Sequence, residues 1–450
     1  MKCLPAFFLT PVLASALAAQ PAPKAGEEAL GTLSYEDFET PEFCGTSCHV
    51  DFYRQWQQAM MSQAYTHHWD EIEYFHLAVP HAEKDPKVAG VRAGCNGCHA
   101  PTAFLAGDVP PPRPSEGSRA NESVSCDVCH TATGFIGEVP HNFNFISRPG
   151  PVKYGPRAGE DSPVHRTESS DFIRSAELCG TCHNEKSPYG AWVKSTHLEW
   201  KEGPYAEAGV RCQDCHMTRA PGAVAELLPA VPDARQHLFH GAHDPGKVRG
   251  TVELRVHPDV REAEPGESVR ITVALFNQKT GHKFPTGSAE ERLVWLHVEA
   301  VDAAGHIHHL PVDRKGFDGE DYTIAADVRA YQDLGIPLNL EGFGGIQRDG
   351  VPAGDRIFRL PYLDPEGRMT IMQWNTASFG PDYRIGPRET KTEHCTWRIP
   401  EDIAPGPLTV YAVLNYQKLP RPVAEFLKVP LEEAEIIEVN RHTTSLTILP

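Results

Sequence analysis

The chain has 450 residues, of which 60 are acidic and 42 are basic, so its formal net charge at pH 7 is −18. A surface with this excess of carboxylates repels nucleic acid and anionic membranes, and it suits a basic protein partner. Beyond the N-terminal region no stretch of sequence is long and apolar enough to cross a bilayer, so we expect no nucleic-acid partner and no transmembrane segment.

Residues 1–20 have the pattern of a cleaved secretory signal peptide. Lys2 is followed by an apolar run over residues 4–17, and Ala16-Leu17-Ala18 resembles a cleavage site. Cys3 precedes the apolar run, whereas a cysteine that carries a lipid anchor would follow it. We therefore expect an exported protein, either periplasmic or extracellular at the cell surface, without a lipid anchor.

Five short motifs share one pattern, in which a histidine directly follows the second of two closely spaced cysteines. Two thiols on one turn can add to the two vinyl groups of a haem, and the next residue then lies under the iron. Zinc ligation and dithiol redox chemistry set no rule about that next residue. The pattern predicts five covalently bound haem c groups with these histidines as proximal ligands, although the first motif has one additional residue between its thiols. The motifs are Cys44/Cys48/His49, Cys95/Cys98/His99, Cys126/Cys129/His130, Cys179/Cys182/His183 and Cys212/Cys215/His216.

The segments between the motifs are rich in proline and glycine, and they predict loops with short helices, such as residues 51–65 and 196–208. After residue 250 the pattern changes to period-two alternation of apolar residues, which is typical of half-buried strands in an antiparallel sandwich. We therefore predict a pentahaem cytochrome c domain at residues 21–248 and an all-β sandwich domain at residues 249–450. Cys395 is expected to be a small buried residue of a strand. The four clearest predicted strands contain Val252, Leu254 and Val256; Val269, Ile271, Val273 and Leu275; Val294, Leu296, Val298 and Ala300; and Leu408, Val410, Ala412 and Leu414.

A weak internal repeat follows the first and fourth motifs. Residues 53–61 and 189–197 both fit the pattern Tyr-x-x-Trp-x-x-small-x-ligand, which aligns Met61 with His197. A second alignment, shifted by eight residues, pairs Met61 with Tyr205 instead. Both alignments remain open on the sequence alone, and Met61 is either a sixth iron ligand or ordinary core.

Histidines outside the motifs are the natural candidates for distal iron ligands. His141 and His165 lie between motifs, and His237 lies with His240 and His243 after the fifth motif. His282 lies on a tight loop of the β half. The alternative to iron ligation for His282 is a hydrogen bond from its ring to the backbone that holds the turn. The candidate distal ligands are His141, His165, His237 and His282, together with Met61 and His197. Surface roles are expected for His306, His308 and His309, which lie beside Gly305 in a predicted turn.

Several segments resemble the multihaem cytochromes c related to the tetrahaem electron acceptor of hydroxylamine oxidoreductase. The resemblance covers about residues 40–430 and includes the segment from Gly281, similar to a β domain that often follows such haem segments. It implies closely packed haems with mostly bis-histidine ligation. The segments that carry it are Val-Ser-Cys-Asp-Val-Cys-His at 124–130, Ser-Pro-Val-His-Arg-Thr-Glu at 162–168, Ser-Ala-Glu-Leu-Cys-Gly-Thr-Cys-His-Asn at 175–184, Glu-Trp-Lys at 199–201, Cys-Gln-Asp-Cys-His-Met at 212–217 and Gly-His-Lys-Phe-Pro-Thr-Gly at 281–287.

Two functional classes follow from these observations. In the first, the protein carries electrons between respiratory redox partners, which are other cytochromes or a basic electron donor. In the second, one haem iron is open and acts on a small nitrogen or sulfur compound. The first is favoured, because no motif replaces the proximal histidine by lysine as in ammonia-forming nitrite reductases. The chain is thus expected to be an electron carrier rather than an enzyme. A third interpretation, which is compatible with the carrier role, is that the β half docks the cytochrome onto a larger assembly.

Overall fold

The protein is described by a computed structural model over residues 24–157, 162–313, 331–334, 345–346 and 350–450. The predicted signal peptide at residues 1–20 lies outside these ranges. In the part of the chain that is described, no helix has the length and hydrophobicity needed to cross a membrane.

Short helices make up most of the first half of the described chain, because prolines and glycines interrupt the backbone hydrogen bonding of longer ones. Helices of this length are marginal in isolation, so packing against other groups must stabilise them. They are α1 (Pro41–Gly45), α2 (Val50–Trp56), α3 (His68–Ile72), α4 (Val79–Lys84), α5 (Val91–His99), α6 (Pro101–Ala106), α7 (Cys126–His130), α8 (Asp171–Arg174), α9 (Ala176–His183), α10 (Thr196–Lys201), α11 (Pro204–Glu207), α12 (Cys212–His216) and α13 (Pro245–Val248). A π-helix spans Glu73–Ala78, and 3-10 helices span Gly26–Ala29, Tyr35–Asp37, Met60–Gln63, Pro86–Val88, Pro114–Glu116 and Arg119–Glu122.

The two helices predicted at residues 51–65 and 196–208 are each divided in the structure. Residues 51–65 form α2 and then a separate 3-10 helix at Met60–Gln63, because Ala59 adopts extended backbone angles. Residues 196–208 form α10 and α11, which are separated at Gly203, where the following Pro204 has no amide hydrogen for a continuing helix. Both segments are therefore helical as predicted, but each forms two shorter helices.

Small two-stranded sheets connect the helices of this half. Three of them are antiparallel and one, β3 with β4, is parallel. The strands are β1 (Ala132–Phe135), β2 (Phe145–Ser147), β3 (Val152–Gly155), β4 (Arg166–Ser169), β5 (Asn184–Lys186), β6 (Trp192–Ser195), β7 (Arg219–Gly222) and β8 (Val231–Arg235). The last helix of this half, α13, ends at Val248 and the first strand of the second half begins at Val252.

The second half is a β sandwich, which confirms the predicted fold class. One sheet has the order β10-β19-β18-β12-β13, with β14 also on β12, and the facing sheet has the order β17-β11-β9. The strands are β9 (Val252–Pro258), β10 (Glu262–Ala263), β11 (Ser268–Asn277), β12 (Leu293–Val301), β13 (Ile307–His309), β14 (Arg356–Ile357), β15 (Tyr362–Leu363), β16 (Ser378–Phe379), β17 (Thr390–Arg398), β18 (Gly406–Gln417) and β19 (Ile437–Ile448). This half also contains the helix α14 (Arg421–Leu427) and 3-10 helices at Gln373–Asn375 and Leu431–Ala434.

The core of the sandwich consists of the alternating residues that the sequence pattern identified. Leu254, Val273 and Leu296 are all buried in one cluster, to which both sheets contribute. Cys395 lies in β17 and is fully buried in the same core, as predicted. The four strands predicted most clearly are β9, β11, β12 and β18.

The two halves share a hydrophobic core. Trp69 and Leu77 from the first half pack in one cluster with Met372 and Val423 from the second. A second cluster joins Val193 of β6 to the β half. The sandwich therefore closes one side of the space between the short helices, and this space is the candidate site.

Candidate functional site

A large cavity of about 3060 Å³ lies within the first half and extends to the β half. Pockets for one small ligand usually measure about 300–1,000 Å³, so this cavity has room for several groups of that size. All ten motif cysteines and all five motif histidines line it. The sequence motifs therefore converge on one space although they are spread over more than 170 residues of the chain.

The local geometry of the motifs explains how their side chains reach the cavity. On a helix, residues three and four positions apart lie on one face, so Cys-x-x-Cys-His places both thiols and the imidazole together. Four motifs lie in α5, α7, α9 and α12, and each of these helices ends at its histidine. The first motif has an additional residue, and there α1 ends at Gly45 while α2 begins only after His49. A turn replaces the helix in this motif.

Three pairs of motif cysteines from different motifs lie side by side. The first motif thus lies beside the third, the second beside the fourth, and the fourth beside the fifth. The three pairs are Cys44 with Cys126, Cys98 with Cys182, and Cys179 with Cys212.

The motif residues do not converge on a single metal ion. In the described ranges, groups of three possible ligand atoms lie close together only at His67/His68/Glu433 and at His297/His309/Asp355, and neither group contains a motif residue. A zinc site instead needs three or four protein ligand atoms around one point. The distribution of cysteine pairs and histidines around a large cavity fits several large planar groups, each bound at its edge and at its centre, as haem c is.

Four of the motif histidines are held in one tautomer. In each of them Nδ1 lies 2.6–2.7 Å from a backbone carbonyl oxygen, which can only accept a hydrogen bond. Nδ1 therefore carries the proton, and Nε2 is the bare nitrogen that can bind a metal. The four contacts are His49 with Val224, His99 with Ala64, His130 with Tyr154, and His216 with His240.

The fifth motif histidine, His183, projects into the cavity and has a large exposed fraction there. The surrounding protein nevertheless desolvates the ring, and this burial, with the charge of Lys194 nearby, lowers the pKa of His183 to about 4. His183 is therefore neutral at pH 7. A neutral imidazole has a lone pair available for a metal.

Three candidate distal histidines face motif histidines across the cavity. Their ring centroids are 6.2–6.4 Å apart and the ring planes are 17–27° from parallel. Bonds of about 2 Å from a metal to each imidazole nitrogen, with each centroid about 1 Å behind its nitrogen, give a separation of about 6 Å. The observed spacing therefore fits two axial ligands of one ion. The pairs are His49 with His165, His130 with His237, and His216 with His282.

The three facing histidines have the same tautomer as the motif histidines. In His165, His237 and His282 the Nδ1 atom lies 2.9–3.2 Å from the carbonyl oxygen of a residue one or two positions away. Burial lowers the pKa of His237 to about 4 and lowers that of His282 as well. These two rings are neutral, and all three direct a bare Nε2 away from their own backbone.

His141 has the same local arrangement, because its Nδ1 lies 2.9 Å from the carbonyl oxygen of Val139. Its ring lines the cavity and contacts the Trp192 ring edge-on at 5.4 Å. The next residues bind the fourth motif, since the Phe143 amide donates to the Thr181 carbonyl. In the described structure the His141 ring does not face a motif histidine at the 6.2–6.4 Å spacing of the three pairs. Among the described residues, His99 and His183 likewise have no facing histidine at that spacing.

The structure favours the second alignment of the internal repeat. Trp56 donates its indole N–H to Val124, two residues before the third motif, and Trp200 donates to Val210, two residues before the fifth. Tyr53 and His197 also correspond, because each ring packs against the glycine that follows the first cysteine of a motif. A Cβ added at Gly45 would clash with the Tyr53 ring, and one added at Gly180 would lie 2.8 Å from the His197 ring.

This alignment gives His197 a packing role. Its Nδ1 lies 3.2 Å from the Asn184 side-chain nitrogen, and its Nε2 is buried without a hydrogen-bond partner among the described residues. Met61 corresponds to Tyr205; it lines the cavity from the 3-10 helix at Met60–Gln63. Among the described ring contacts His197 pairs with Trp200 rather than with a motif histidine, whereas Met61 stays a candidate ligand that lines the cavity.

Glu199 is a positioning residue that the sequence did not reveal. It lies in α10 and accepts hydrogen bonds from the Lys283 amide at 3.1 Å and the Thr286 hydroxyl at 2.7 Å, on either side of the turn that follows His282. It also forms a buried ion pair with Arg384 at 2.7 Å. Burial alone would raise the pKa of Glu199, but the Arg384 charge and these hydrogen bonds hold it below its ordinary value. The Glu-Trp-Lys segment was the only signal of this role.

Comparisons with known proteins agree with this site. Residues 44–131, which contain the first three motifs, match the family model described as cytochrome c554 and c-prime. A search of the curated proteins found no match. Among solved structures, a penta-heme cytochrome c552 from Thermochromatium tepidum aligns over 92% of this chain and 99% of its own, with 19% identity and a TM-score of 0.58.

Other solved structures align over less than half of the chain. They include the alkylpurine DNA glycosylase AlkC from Pseudomonas fluorescens (8% identity, 46% of this chain and 32% of that one, TM-score 0.19) and Spo0M from Bacillus subtilis (10% identity, 45% and 50%, TM-score 0.18). These scores are too low to indicate a shared fold. The full-length alignment shows that the chain has the fold of a multihaem c-type cytochrome with a β half.

Proposed function

We propose that this chain is an exported pentahaem c-type cytochrome that transfers electrons between respiratory redox proteins. The observation that carries the proposal is the presence of three facing histidine pairs in one cavity that five cysteine-pair motifs line. The similarity to a penta-heme cytochrome supports the count of five. The quoted sequence segments further suggest kinship with the relatives of the tetrahaem electron acceptor of hydroxylamine oxidoreductase.

The ten motif cysteines would hold five haems by thioether bonds, and the five motif histidines would be their proximal ligands. Bound haem supplies a reversible one-electron iron couple, whose potential depends on the axial ligands and on hydrogen bonding. The residues of the chain orient that group: backbone carbonyls fix the histidine tautomers, as Val224 does for His49. His165, His237 and His282 are the distal ligands in this proposal, and His141 is the fourth candidate.

Closed iron sites favour an electron carrier over an enzyme, because a substrate needs an open coordination position. Three of the five motif histidines have a second histidine facing them across the cavity. His99 and His183 face no second histidine at the spacing of these three pairs in the described structure, while His141, His243 and Met61 line the same cavity. This observation supports the alternative function, in which one open iron acts on a small nitrogen or sulfur compound.

The charge of the chain and its N-terminal sequence support the proposed partners and location. A net charge of −18 attracts a basic electron-transfer protein from a distance. Residues 1–20 have the pattern of an export signal, which leads to the periplasm or the cell surface. The β half, which packs against the helices, offers a surface for docking onto a larger assembly.

Stopped-flow kinetics of the purified haem-loaded protein test the proposal. We expect the reduced protein to transfer electrons rapidly to a basic oxidised c-type cytochrome, at a rate that falls as ionic strength rises. The same protein should turn over neither nitrite nor hydroxylamine. Slow, salt-independent transfer together with rapid turnover of either compound would instead support the open-site oxidoreductase.

A further inference from the structure

A second group of histidines lies far from the motifs, on the outer face of the β sandwich. Alternation along β12 places His297 and Glu299 on the outer face, whereas Val298 lies in the core between the sheets. His309 is the last residue of β13, which pairs with β12 next to Glu299. Asp355 directly precedes β14, which pairs with β12 at its other end. His297 thus lies opposite the junction of two short strands.

Three side chains meet at this junction. The Nδ1 atom of His297 lies 2.9 Å from Oδ1 of Asp355, and the Nε2 atom of His309 lies 2.9 Å from the same oxygen. The two imidazole rings are nearly parallel, with an angle of 9° and centroids 5.1 Å apart. One ligand atom from each residue lies within 4.8 Å of the other two.

The backbone around Asp355 is built to allow this approach. Gly354 has a φ of +94°, and a Cβ at this position would lie 3.0 Å from Cε1 of His309. A side chain here would therefore displace the His309 ring. The Gly354 carbonyl accepts a hydrogen bond at 2.8 Å from the Val312 amide, which fixes the loop against the segment that follows β13.

We propose that His297, His309 and Asp355 bind one divalent transition-metal ion of the zinc class. Two histidines and one carboxylate are a ligand set of zinc sites that keep one position open. The Asp355 carboxylate is 1% exposed, whereas the His297 and His309 side chains are 27% and 34% exposed. The open position therefore faces solvent, and water can complete the coordination.

Glu299 completes the arrangement around His297. Its Oε2 lies 3.4 Å from Nε2 of His297, the nitrogen that does not face Asp355. A metal-binding histidine usually donates its other ring N–H to a carboxylate, which fixes the tautomer.

The other group of three possible ligands is less suitable. His67, His68 and Glu433 also lie close together, but the Lys418 ammonium is 2.6 Å from the Glu433 carboxylate. A cation already neutralises that carboxylate.

Equilibrium dialysis with Zn²⁺ tests this proposal in the haem-loaded protein. Chelator treatment removes adventitious metal and leaves covalent haem in place, and elemental analysis then gives zinc relative to iron. We expect one zinc per chain, with affinity reduced at least about 100-fold in His309→Ala and about 10–100-fold in Glu299→Gln. His306→Ala is the matched control from the same hairpin, since His306 contacts Asp302 and its side chain is 74% exposed.

A thermal unfolding measurement gives a second readout, because a ligand that binds only the folded state raises the melting temperature. Zn²⁺ should raise it in the unsubstituted protein and in His306→Ala but leave it unchanged in His309→Ala. Equal zinc binding by His309→Ala and the unsubstituted protein would overturn the proposal. Absence of zinc binding in the unsubstituted protein at micromolar Zn²⁺ would also overturn it and would leave the three residues as an ion-pair cluster only.

Discussion

The buried ion pair between Glu199 and Arg384 gives the sharpest prediction, because it connects α10 to the loop that carries His282. The two side chains are 6% and 4% exposed and their charged atoms are 2.7 Å apart. Removal of one partner from a buried ion pair costs about 3–5 kcal/mol. Arg384 keeps a second contact to Asp382 at 2.9 Å, so we expect Glu199→Gln to lower the free energy of unfolding by about 3 kcal/mol, at the lower end of that range.

Urea unfolding followed by far-ultraviolet circular dichroism measures this loss, and the spin state of the iron reports the position of His282. Misplacement of His282 should convert part of one low-spin iron to high-spin iron. The control is Glu401→Gln, which removes a surface ion pair with Arg398 and should cost at most about 1 kcal/mol. A loss below about 1 kcal/mol in Glu199→Gln with an unchanged spin state would refute the positioning role of Glu199.

Three further substitutions and one mass measurement test other parts of the structure. His165→Ala should produce one high-spin iron, and unchanged low-spin iron would show that His165 is not a ligand. Cys395→Ala should cost about 1–2 kcal/mol of stability, because it empties part of a buried site, and should leave the midpoint potentials unchanged; a shifted potential would contradict this. Burial lowers the pKa of His67, but Asp70 and Glu433 more than offset this and raise it to about 9. The protonated ring therefore stabilises the fold fully below pH 6.5, and a stabilisation of about 3 kcal/mol is lost as the pH rises through 9. His67→Gln should remove that pH dependence, and a persistent stability loss between pH 6.5 and 9 would point to another group. The intact mass should correspond to five haems, whereas four would mean that the first motif is empty.

Local patterns in the sequence predicted the parts of the fold that depend on neighbouring residues. Strands such as β11 and β12 were evident because every second residue faces the core. Helix lengths were overestimated because a single local break, such as Gly203 before Pro204, ends a helix that composition favours. The core that Trp69 shares with Met372 joins residues far apart in the chain, and no local pattern indicates it.

The same distinction explains what could be predicted of the candidate site. Cysteine pairs and their histidines lie on one turn, so spacing alone identifies them. The spatial relation of His49 to His165 depends on the tertiary packing of segments far apart in the chain, which no local pattern indicates. His309 was expected to have a surface role, and its contact with Asp355 arises only because β13 and β14 pair with the same strand.

Electron paramagnetic resonance of the fully oxidised, haem-loaded protein is the most direct test of the proposed carrier function. Facing histidine pairs predict low-spin ferric iron, and a carrier requires this state at all five haems. We expect a spectrum dominated by low-spin signals that is unchanged when nitrite or hydroxylamine is added. A strong high-spin signal that these compounds shift would contradict the carrier function and would identify an open iron.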